Sequence, residues 1–187
     1  MTPLKIILTL LILAVPTAKG QTKPWKVMQN CKILTDEYRD GDSFKVLYKN
    51  KKIGIRLYFV DCPESHKETR SPDRVLEQAE EFHKSPDATQ TLGDFAADFT
   101  LNTLKNQPFT VITNETSAMG SSLRYYGFVR TGNKDLGELL LKNGLARLKG
   151  FKTRPPFWRG DQTSYENLLT RIENEAKNQK KGIWKKI

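Results

Sequence analysis

Short alternating segments separated by polar turns constrain this chain more than any other feature. Residues 43–48 alternate apolar and polar side chains, and residues 53–60 place Ile53, Ile55, Leu57 and Phe59 on one face. A polar turn at 49–52 joins the two segments. Alternation with period two over so few residues is typical of half-buried strands. The sequence therefore predicts an antiparallel pair of strands with one face turned toward a core.

Strand and helix patterns follow one another in a definite order along the chain. After a polar lead-in at 21–30, a strand-like segment at 32–38 precedes the pair. The order favours a mainly β fold with helices (α+β), namely a five-stranded oligonucleotide-binding (OB-fold) barrel with about three to four helices. A mixed α+β sandwich fits the same order less specifically. The later predicted strands are 108–113, 124–131 and 145–148, and the helices are 73–84, a segment around 92–99, 135–143 and a segment from 163 onward.

Two of these helices carry finer signals. The second helix has an apolar stripe made of Leu92, Phe95, Ala96 and Phe99. Thr163, with Glu166 three residues later, predicts a capping box at the start of the last helix.

The amino-terminal segment has the pattern of an export signal. A positive start, an apolar run at 6–15 and small residues before Gly20 predict a signal peptide over residues 1–20, cleaved near Gly20–Gln21. The mature chain, 21–187, is then a single domain that is periplasmic or secreted and has no membrane anchor. The apolar run is too short to span a bilayer, so a retained anchor is the less favoured alternative.

The chain is strongly basic, with 31 lysines and arginines against 21 aspartates and glutamates and a net charge of +10 at pH 7. Such a charge favours polyanionic partners, because each neutralised phosphate releases condensed counterions. Solubility alone explains the same charge equally well. Composition by itself therefore leaves nucleic acid as one of two interpretations.

The two cysteines, Cys31 and Cys62, allow three interpretations. In an exported protein they can pair as a disulfide. They can also be two buried thiols, or one can be a thiol beside a functional site. The two cysteines and two histidines are scattered and lack the ligand spacing of a structural zinc site.

Two aspartates mark the ends of neighbouring predicted strands. Asp42 opens the strand at 43–48, and Asp61 closes the antiparallel strand that follows. Because a short hairpin places those two ends side by side, two carboxylates are expected at one rim of the sheet. Like charges at such a short distance are unfavourable unless they are neutralised. A hard divalent cation, which prefers oxygen ligands, would neutralise them.

Arg56 and Glu64 are expected at the same rim. The planar guanidinium of Arg56 suits a phosphate, because it donates two parallel hydrogen bonds. Glu64 can orient or deprotonate a water for attack on phosphorus, and the cation lowers the pKa of that water. Each residue also has an ordinary explanation: Asp-Gly-Asp is a turn sequence, Arg56 can pair with Asp61, and Pro63-Glu64 can begin a helix. The convergence favours a phosphodiesterase.

Several longer blocks of sequence extend this pattern. Together they resemble the staphylococcal nuclease (thermonuclease) family, as an exported bacterial homologue, over about residues 30–185. The joint pattern is specific, whereas each block alone is weak. The blocks are DGDS at 40–43, IRLYFVDCPE at 55–64, RYYGFV at 124–129, LLLKNGLA at 139–146 and KGIW at 181–184.

The resemblance implies an enzyme that is built on an OB-fold barrel and cleaves DNA and RNA using Ca²⁺. By motif position, Asp42 and Asp61 resemble metal ligands, with the Cys62 backbone carbonyl as a further candidate. Cys62 stands where the staphylococcal protein has threonine. A backbone carbonyl ligand survives that change, but a side-chain contribution does not carry over.

The resemblance also assigns the catalytic roles. Glu64 resembles the residue that acts on the attacking water as general base. Arg56 and Arg124 resemble the two arginines that hold the scissile phosphate and stabilise its developing charge. Arg124 depends on the resemblance alone, since a solvated arginine after a polar loop is ordinary.

The chain departs from the family pattern in its insertion and its aromatic residues. Residues 65–93 are longer than expected and hold the extra helix at 73–84. The base-stacking tyrosines are missing where Gly150 and Lys152 stand. The remaining candidates for nucleic-acid contact are Tyr125, Phe151 and Lys152, and Trp158 is more simply explained as a loop-packing residue.

The sequence therefore predicts a monomeric, exported, Ca²⁺-dependent nuclease of the endonuclease type, acting on DNA and/or RNA with low sequence specificity. The alternative is a non-catalytic nucleic-acid- or partner-binding module on the same barrel. A binder uses Arg56 but has no use for Asp42, Asp61 and Glu64, which repel a phosphate.

Overall fold

The structure is a computed structural model that describes residues 23–35, 40–66, 72–118 and 124–185. The predicted signal peptide lies outside these residues. None of the helices in the described segments is long and apolar enough to cross a membrane.

Short strands and helices alternate along the described segments. The strands are β1 Lys26–Ile33, β2 Ser43–Tyr48, β3 Lys51–Leu57, β4 Val60–Asp61, β5 Phe109–Thr113, β6 Arg124–Thr131, β7 Lys134–Asp135 and β8 Arg147–Leu148. The helices are α1 Pro72–Phe82, α2 Pro86–Leu104, α3 Leu136–Lys142 and α4 Gln162–Asn178, and a 3₁₀ helix spans Gly182–Trp184.

Five of the strands close into a barrel. Antiparallel pairs join β3 to β2, β2 to β1, β1 to β5 and β5 to β6. A parallel pair between β6 and β3 completes the ring. Three meander strands, intervening helices and two more strands make up the OB-fold order, so the predicted fold class is confirmed.

Alternation fills the barrel with aliphatic side chains. Val46, Ile55, Val111 and Val129 come from four different strands and are fully buried. Burial of each such side chain contributes roughly 1.5–3 kcal/mol. The helices α3 and α4 extend this core with Leu136, Leu140, Leu141, Tyr165 and Leu169.

The first strand begins earlier than predicted. β1 starts at Lys26, inside the segment predicted as a polar lead-in, and it ends at Ile33. Its register shifts between Met28 and Cys31, where the chain bulges and Asn30 has a φ of +58°. Such a bulge interrupts the alternation on which sequence prediction depends.

The strand predicted at 53–60 is in fact two strands. β3 ends at Leu57, and Phe59 has a φ of +67°. Because a left-handed residue cannot continue a strand, the chain turns there. Val60–Asp61 then forms the separate strand β4, which pairs with β8.

The predicted apolar stripe of α2 is buried at Ala96 and packs against the core at Phe99, but it is wrong at Phe95. Phe95 is 59% exposed, while the buried stripe is made of small residues that include Gly93 and Ala96. These residues let α2 approach the loop after β4, since a Cβ at Gly93 would lie 2.3 Å from the Glu64 carbonyl oxygen. The small residues therefore place the helix directly against that loop.

The predicted capping box of α4 is wrong. The helix begins at Gln162, and the side chain of Asp161 accepts a hydrogen bond from the Ser164 N–H at 2.7 Å. An aspartate fills this role as well as a threonine does, so the neighbouring acid determines where the helix begins.

Candidate active site

Asp42 and Asp61 lie side by side at one rim of the barrel, bridged by Arg56. The register of β2 and β3 places Ser43 opposite Arg56. The Nη2 atom of Arg56 lies 3.1 Å from Oδ2 of Asp42 and 2.6 Å from Oδ1 of Asp61. The structure therefore brings together the two carboxylates and the arginine that sequence reasoning placed at this rim.

Asp42 is buried with one carboxylate oxygen unsatisfied. Its Oδ2 accepts a hydrogen bond from the Cys62 N–H at 2.8 Å, while Oδ1 has no hydrogen-bond partner among the described residues. Burial raises the pKa of Asp42 to about 6, with Arg56 acting against the shift and Asp61 adding to it. A cation at Oδ1 would satisfy this oxygen and favour the ionised carboxylate.

Asp61 is surrounded by three arginines. Its Oδ1 lies 2.6 Å from Arg56 and 2.8 Å from Arg74, and its Oδ2 lies 2.8 Å from Arg147. Burial alone would favour the neutral acid, but these positive charges outweigh it and hold the pKa of Asp61 below its usual value. Asp61 is therefore ionised at neutral pH.

Glu64 is held through both its backbone and its side chain. Its N–H donates to Oε1 of Gln78 at 2.8 Å, and its own Oε1 lies 2.8 Å from Nε of Arg74. The pKa of Glu64 is raised, mainly by burial, while Arg74 acts in the opposite direction. A carboxylate whose pKa moves toward neutrality is better suited to accept a proton.

Sequence reasoning missed three residues of this site, namely Arg74, Gln78 and Arg147. Gln78 had a usable signal, because it lies on the buried stripe of α1 with Val75 and Phe82, where a glutamine is out of place. Arg147 is 3% exposed, in the two-residue strand β8. Such a short strand has no periodicity from which its burial could be predicted.

The acidic residues of α1 face basic side chains of the barrel. Glu77 and Glu81 both form ion pairs with Arg147, and Glu77 also pairs with Lys149. Glu77 and Glu81 therefore connect α1 to β8 and the residue that follows it.

Arg124 begins β6 on the outer face of the barrel. The parallel pairing with β3 places Arg124 beside Gly54 and Tyr126 beside Arg56. Since residues two apart on a strand point to the same side, Arg56 and Arg124 share one face of neighbouring strands. The Nε atom of Arg124 is buried without a hydrogen-bond partner in the described part of the chain. Arg124 thus carries an unsatisfied donor on the face that it shares with Arg56.

Aromatic rings lie on the outer face next to the arginines. Phe151 is 49% exposed and stacks on Tyr126, with ring centroids 5.0 Å apart. Tyr126 in turn stacks on Tyr58 at 5.3 Å. The structure thus places Tyr126 against Phe151, whereas sequence reasoning chose Tyr125, which strand alternation turns to the opposite face.

Lys152 and Trp158 lie in the same irregular segment and have local partners. Lys152 forms an ion pair with Glu166 of α4. Trp158 donates from Nε1 to Oγ of Ser164 at 2.8 Å, and its ring lies 5.3 Å from that of Tyr165. The loop-packing explanation of Trp158 is confirmed.

Both cysteines are buried free thiols, so the disulfide interpretation is wrong. The Sγ atom of Cys31 donates to the Met28 carbonyl oxygen at 3.2 Å. Cys62 instead lies against Gly41, where an added Cβ would be 2.7 Å from its Sγ. Burial raises the pKa of Cys31 to about 11 and the pKa of Cys62 well above its usual value, which keeps both thiols protonated.

The donor atoms around Asp42 are oxygens, the type that a hard cation prefers, whereas both oxygens of Asp61 are engaged by arginines. The unsatisfied Oδ1 of Asp42 and the Cys62 carbonyl are oxygen donors, although that carbonyl also accepts from Gln78 Nε2 at 3.0 Å. Within the described residues, no three His, Cys, Asp or Glu side chains are arranged to hold a metal. Water and substrate oxygens would have to complete a shell of roughly 6–8 ligands.

A family model described as "Staphylococcal nuclease homologue" matches residues 54–186. Five charged residues were predicted for the site, and this range includes four of them: Arg56, Asp61, Glu64 and Arg124. The chain belongs to the staphylococcal nuclease family. Asp42 precedes the matched range, and its place in the site comes from the structure.

Similar proteins in this family include two that are named as nucleases. The chain is 27% identical to endonuclease YncB of Bacillus subtilis over 82% of its own length, and 29% identical to the thermonuclease of Staphylococcus hyicus over 78%. It is 30% identical over 78% of its length to staphylococcal nuclease domain-containing protein 1 of Schizosaccharomyces pombe.

The chain covers these relatives to different extents. It spans 15% of the Schizosaccharomyces protein, 62% of endonuclease YncB and 70% of the Staphylococcus hyicus thermonuclease. The match therefore covers a small part of the Schizosaccharomyces protein and most of the Staphylococcus hyicus thermonuclease.

Proposed function

We propose that this chain is a Ca²⁺-dependent nuclease that hydrolyses phosphodiester bonds in DNA and/or RNA, as an endonuclease with low sequence specificity. The observation that carries the proposal is the convergence of Asp42, Arg56, Asp61 and Glu64 at one rim, with Arg124 on the adjoining strand. Family membership supports it, since two relatives are named as nucleases.

Asp42 and Asp61 would hold the cation, with the Cys62 carbonyl as a candidate third ligand. A bound Ca²⁺ polarises a phosphate oxygen and lowers the pKa of a coordinated water. The unsatisfied carboxylate oxygen of Asp42 supports this role, because it faces no hydrogen-bond donor in the described segments.

Arg56 and Arg124 would bind the scissile phosphate. Their guanidinium groups donate parallel hydrogen bonds to phosphate oxygens, and these bonds strengthen as negative charge develops in the transition state. Arg56 starts from a position between two carboxylates. A cation that takes over the neutralisation of those carboxylates leaves the guanidinium available to the phosphate.

Glu64 would act on the attacking water. The water oxygen forms a bond to phosphorus, its proton moves to the Glu64 carboxylate, and the bond between phosphorus and the leaving oxygen breaks. Glu64 is suited to this step because its pKa is raised toward neutrality by burial. The Nε atom of Arg74 lies 2.8 Å from Oε1 of Glu64 and places a positive charge beside the carboxylate.

The stacked rings of Phe151 and Tyr126 would contact a nucleobase beside the phosphate. Stacking tolerates any base, since each base has a π-face, and it therefore suits an enzyme of low sequence preference. It also requires an unstacked base, which favours single strands over duplex. Of the candidates that the sequence suggested, Phe151 fits this role best, and Tyr126 replaces Tyr125.

The test is hydrolysis of single-stranded DNA and of RNA by the purified mature chain in a Ca²⁺ titration, with chelator controls and analysis of product ends. We expect cleavage that requires Ca²⁺ and yields internal fragments. Absence of hydrolysis by folded protein at saturating Ca²⁺ would contradict the proposal. Retained binding of the same oligonucleotides would then favour the non-catalytic module.

Export and a monomeric state are further parts of the proposal. Mass spectrometry of the amino terminus after expression in a host with a secretion pathway tests cleavage near Gly20–Gln21. Size-exclusion chromatography with light scattering tests whether the mature chain is a monomer.

A further inference from the structure

The loop that follows β4 carries Glu64 and has no regular secondary structure over residues 62–65. It begins just after the left-handed residue Phe59 and the two-residue strand β4. A loop of this kind adopts one geometry only if other parts of the fold satisfy its backbone groups. The helix α1, which belongs to the insertion at 65–93, satisfies several of them.

Gln78 of α1 makes three hydrogen bonds to this part of the site and is completely buried. Its Oε1 accepts from the Glu64 N–H at 2.8 Å. Its Nε2 donates to the Cys62 carbonyl at 3.0 Å and to Oδ2 of Asp61 at 3.2 Å. The opposite amide orientation would set an NH₂ group against the Glu64 N–H and an oxygen against a carboxylate, so these partners fix the amide in one orientation.

Arg74, one turn earlier on α1, fixes the acidic side chains relative to each other. Its Nη2 lies 2.8 Å from Oδ1 of Asp61, and its Nε lies 2.8 Å from Oε1 of Glu64. Nη2 donates a hydrogen bond to Asp61, whereas Nε forms an ion pair with Glu64 but no hydrogen bond within the described residues. The rigid, planar guanidinium therefore places one positive charge between the two carboxylates. The Arg74 side chain is 37% exposed, so it lies at the open side of the site.

The helix α1 is also connected to Asp61 through Arg147. The Arg147 side chain is 4% exposed, and its Nη2 lies 2.8 Å from Oδ2 of Asp61. The same Nη2 pairs with Glu77 of α1, and Nη1 pairs with Glu81. The helix therefore supports Asp61 both directly, through Gln78 and Arg74, and indirectly, through Arg147.

We propose that α1 is the positioning element of this site: Gln78 sets the geometry of Asp61, the Cys62 carbonyl and the Glu64 backbone, and Arg74 sets that of the Glu64 carboxylate. The catalytic part of this inference rests on the proposed function, whereas the positioning of the loop does not. Partners that orient metal ligands typically contribute ~10–100-fold to metal affinity or activity. An effect of that size is expected for Gln78.

The experiment compares Gln78→Met with the matched variant Val75→Ala. Methionine keeps the length of Gln78 but removes all three hydrogen bonds. Val75 is also buried on α1, one turn away, so its truncation destabilises the helix without removing a polar contact to the site. Three quantities are measured: hydrogen exchange of the Glu64 amide, Ca²⁺ affinity by calorimetry, and kcat and KM on single-stranded DNA.

In Gln78→Met we expect faster exchange of the Glu64 amide, Ca²⁺ affinity weakened about tenfold or more, and kcat lowered about 10–100-fold. In Val75→Ala we expect a lower unfolding temperature with site-amide exchange, Ca²⁺ affinity and kcat close to those of the parent. Gln78→Met values equal to those of Val75→Ala would overturn the inference. A parent protein that cleaves nothing would instead contradict the proposed function, and the exchange and calorimetry would still decide the positioning role.

Arg74→Met provides a second test that can still be made if Gln78→Met does not fold. Arg74 is partly exposed, so its replacement is expected to leave the fold intact. Without its ion pair the Glu64 carboxylate loses its fixed orientation, while the Glu64 amide keeps its bond to Gln78. We expect kcat to fall about tenfold with little change in KM and no change in exchange of the Glu64 amide. A parental kcat in Arg74→Met would remove Arg74 from the positioning role.

Discussion

The Nη2 atom of Arg56 lies 2.6 Å from Oδ1 of Asp61, although the two residues belong to different strands. The same nitrogen is 3.1 Å from Asp42, so one guanidinium neutralises both candidate metal ligands. A divalent cation would act on the same pair of charges. Cation binding and the ion pairs of Arg56 are therefore coupled.

Replacing Arg56 by glutamine tests this coupling. In metal-free protein, Arg56→Gln leaves Asp42 buried beside Asp61 without its positive neighbour, and the free energy of unfolding should fall by about 3 kcal/mol. Ca²⁺ should restore more stability to the variant than to the parent, because it neutralises the two carboxylates that have lost the Arg56 charge. Urea unfolding with Ca²⁺ and with chelator measures both effects. Equal Ca²⁺ stabilisation of variant and parent would contradict the coupling.

Glu64→Gln should remove the proton acceptor while keeping the shape of the side chain. We expect kcat to fall by about 10²–10⁴-fold, the usual contribution of a general base. Glu80→Gln is the matched control, since Glu80 is exposed on α1 and its side chain has no role in the site. Single-turnover hydrolysis with saturating Ca²⁺ measures the step itself. A kcat for Glu64→Gln within threefold of Glu80→Gln would remove Glu64 from the reaction.

The parts of the site that lie on alternating strands could be predicted from sequence. The hairpin of β2 and β3 carries a regular pattern, and alternation together with a short turn is enough to place Asp42, Arg56 and Asp61 at one rim. The break at Phe59 could not be predicted, because its φ of +67° has no sequence signal in a non-glycine residue. Asp61 nevertheless lies at the rim, 2.6 Å from Arg56, in the separate strand β4 that pairs with β8.

The contribution of α1 could not be predicted in the same way. Periodicity identified the helix over 73–84, close to the observed Pro72–Phe82, but it says nothing about which neighbour a helix packs against. The contacts of Arg74 and Gln78 depend on long-range packing of the insertion. The buried face of α2 consists largely of small residues around Gly93. It could not be predicted either, because the more hydrophobic Phe95 dominates the sequence pattern.

Arg124→Ala should lower activity without lowering stability. Its Nε has no hydrogen-bond partner in the described segments, so little native interaction is lost. Removing one donor that stabilises developing charge typically lowers kcat by ~10²–10³-fold. The exposed Arg171 of α4 is the matched control, and Arg171→Ala should leave kcat unchanged. Steady-state kinetics and thermal unfolding of both variants check the pair. A normal kcat in Arg124→Ala would contradict its assignment.

Phe151→Ala should weaken substrate binding more than it slows the reaction. Loss of one stacked base contact costs about 1–3 kcal/mol, so KM for single-stranded DNA should rise about tenfold or more. Phe95→Ala is the control, because Phe95 is 59% exposed on α2, a helix that carries none of the catalytic candidates. The measurement is KM on oligonucleotides with bases and with abasic positions. If the abasic substrate shows the same difference between parent and Phe151→Ala, the contact is not stacking.

The N-cap of α3 should make stability depend on pH. Asp135 is buried, its Oδ1 accepts from the Gly137 and Glu138 N–H groups, and its Oδ2 has no hydrogen-bond partner within the described residues. Burial, with the charge of Glu138, raises the pKa of Asp135 to about 7. Because this pKa lies above the unfolded value, ionisation lowers stability progressively from about pH 4 to about pH 7. Asp135→Asn keeps the cap and removes the charge, so it should be more stable than the parent by about 2 kcal/mol at pH 8 and equal to it near pH 4.

Asp161 provides the opposite case on the exposed N-cap of α4. The hydrogen bond from the Ser164 N–H lowers the pKa of Asp161, so its ionised form supports the helix above the unfolded pKa, and that support is lost as the pH falls. Asp161→Asn should therefore be slightly less stable than the parent at pH 8, and the difference should disappear in acid. Urea unfolding at pH 4, 6 and 8 measures how much the free energy of unfolding of each variant differs from that of the parent. We expect this difference to rise with pH for Asp135→Asn and to fall with pH for Asp161→Asn. If both differences change with pH in the same direction, burial of Asp135 does not determine how the stability of this fold depends on pH.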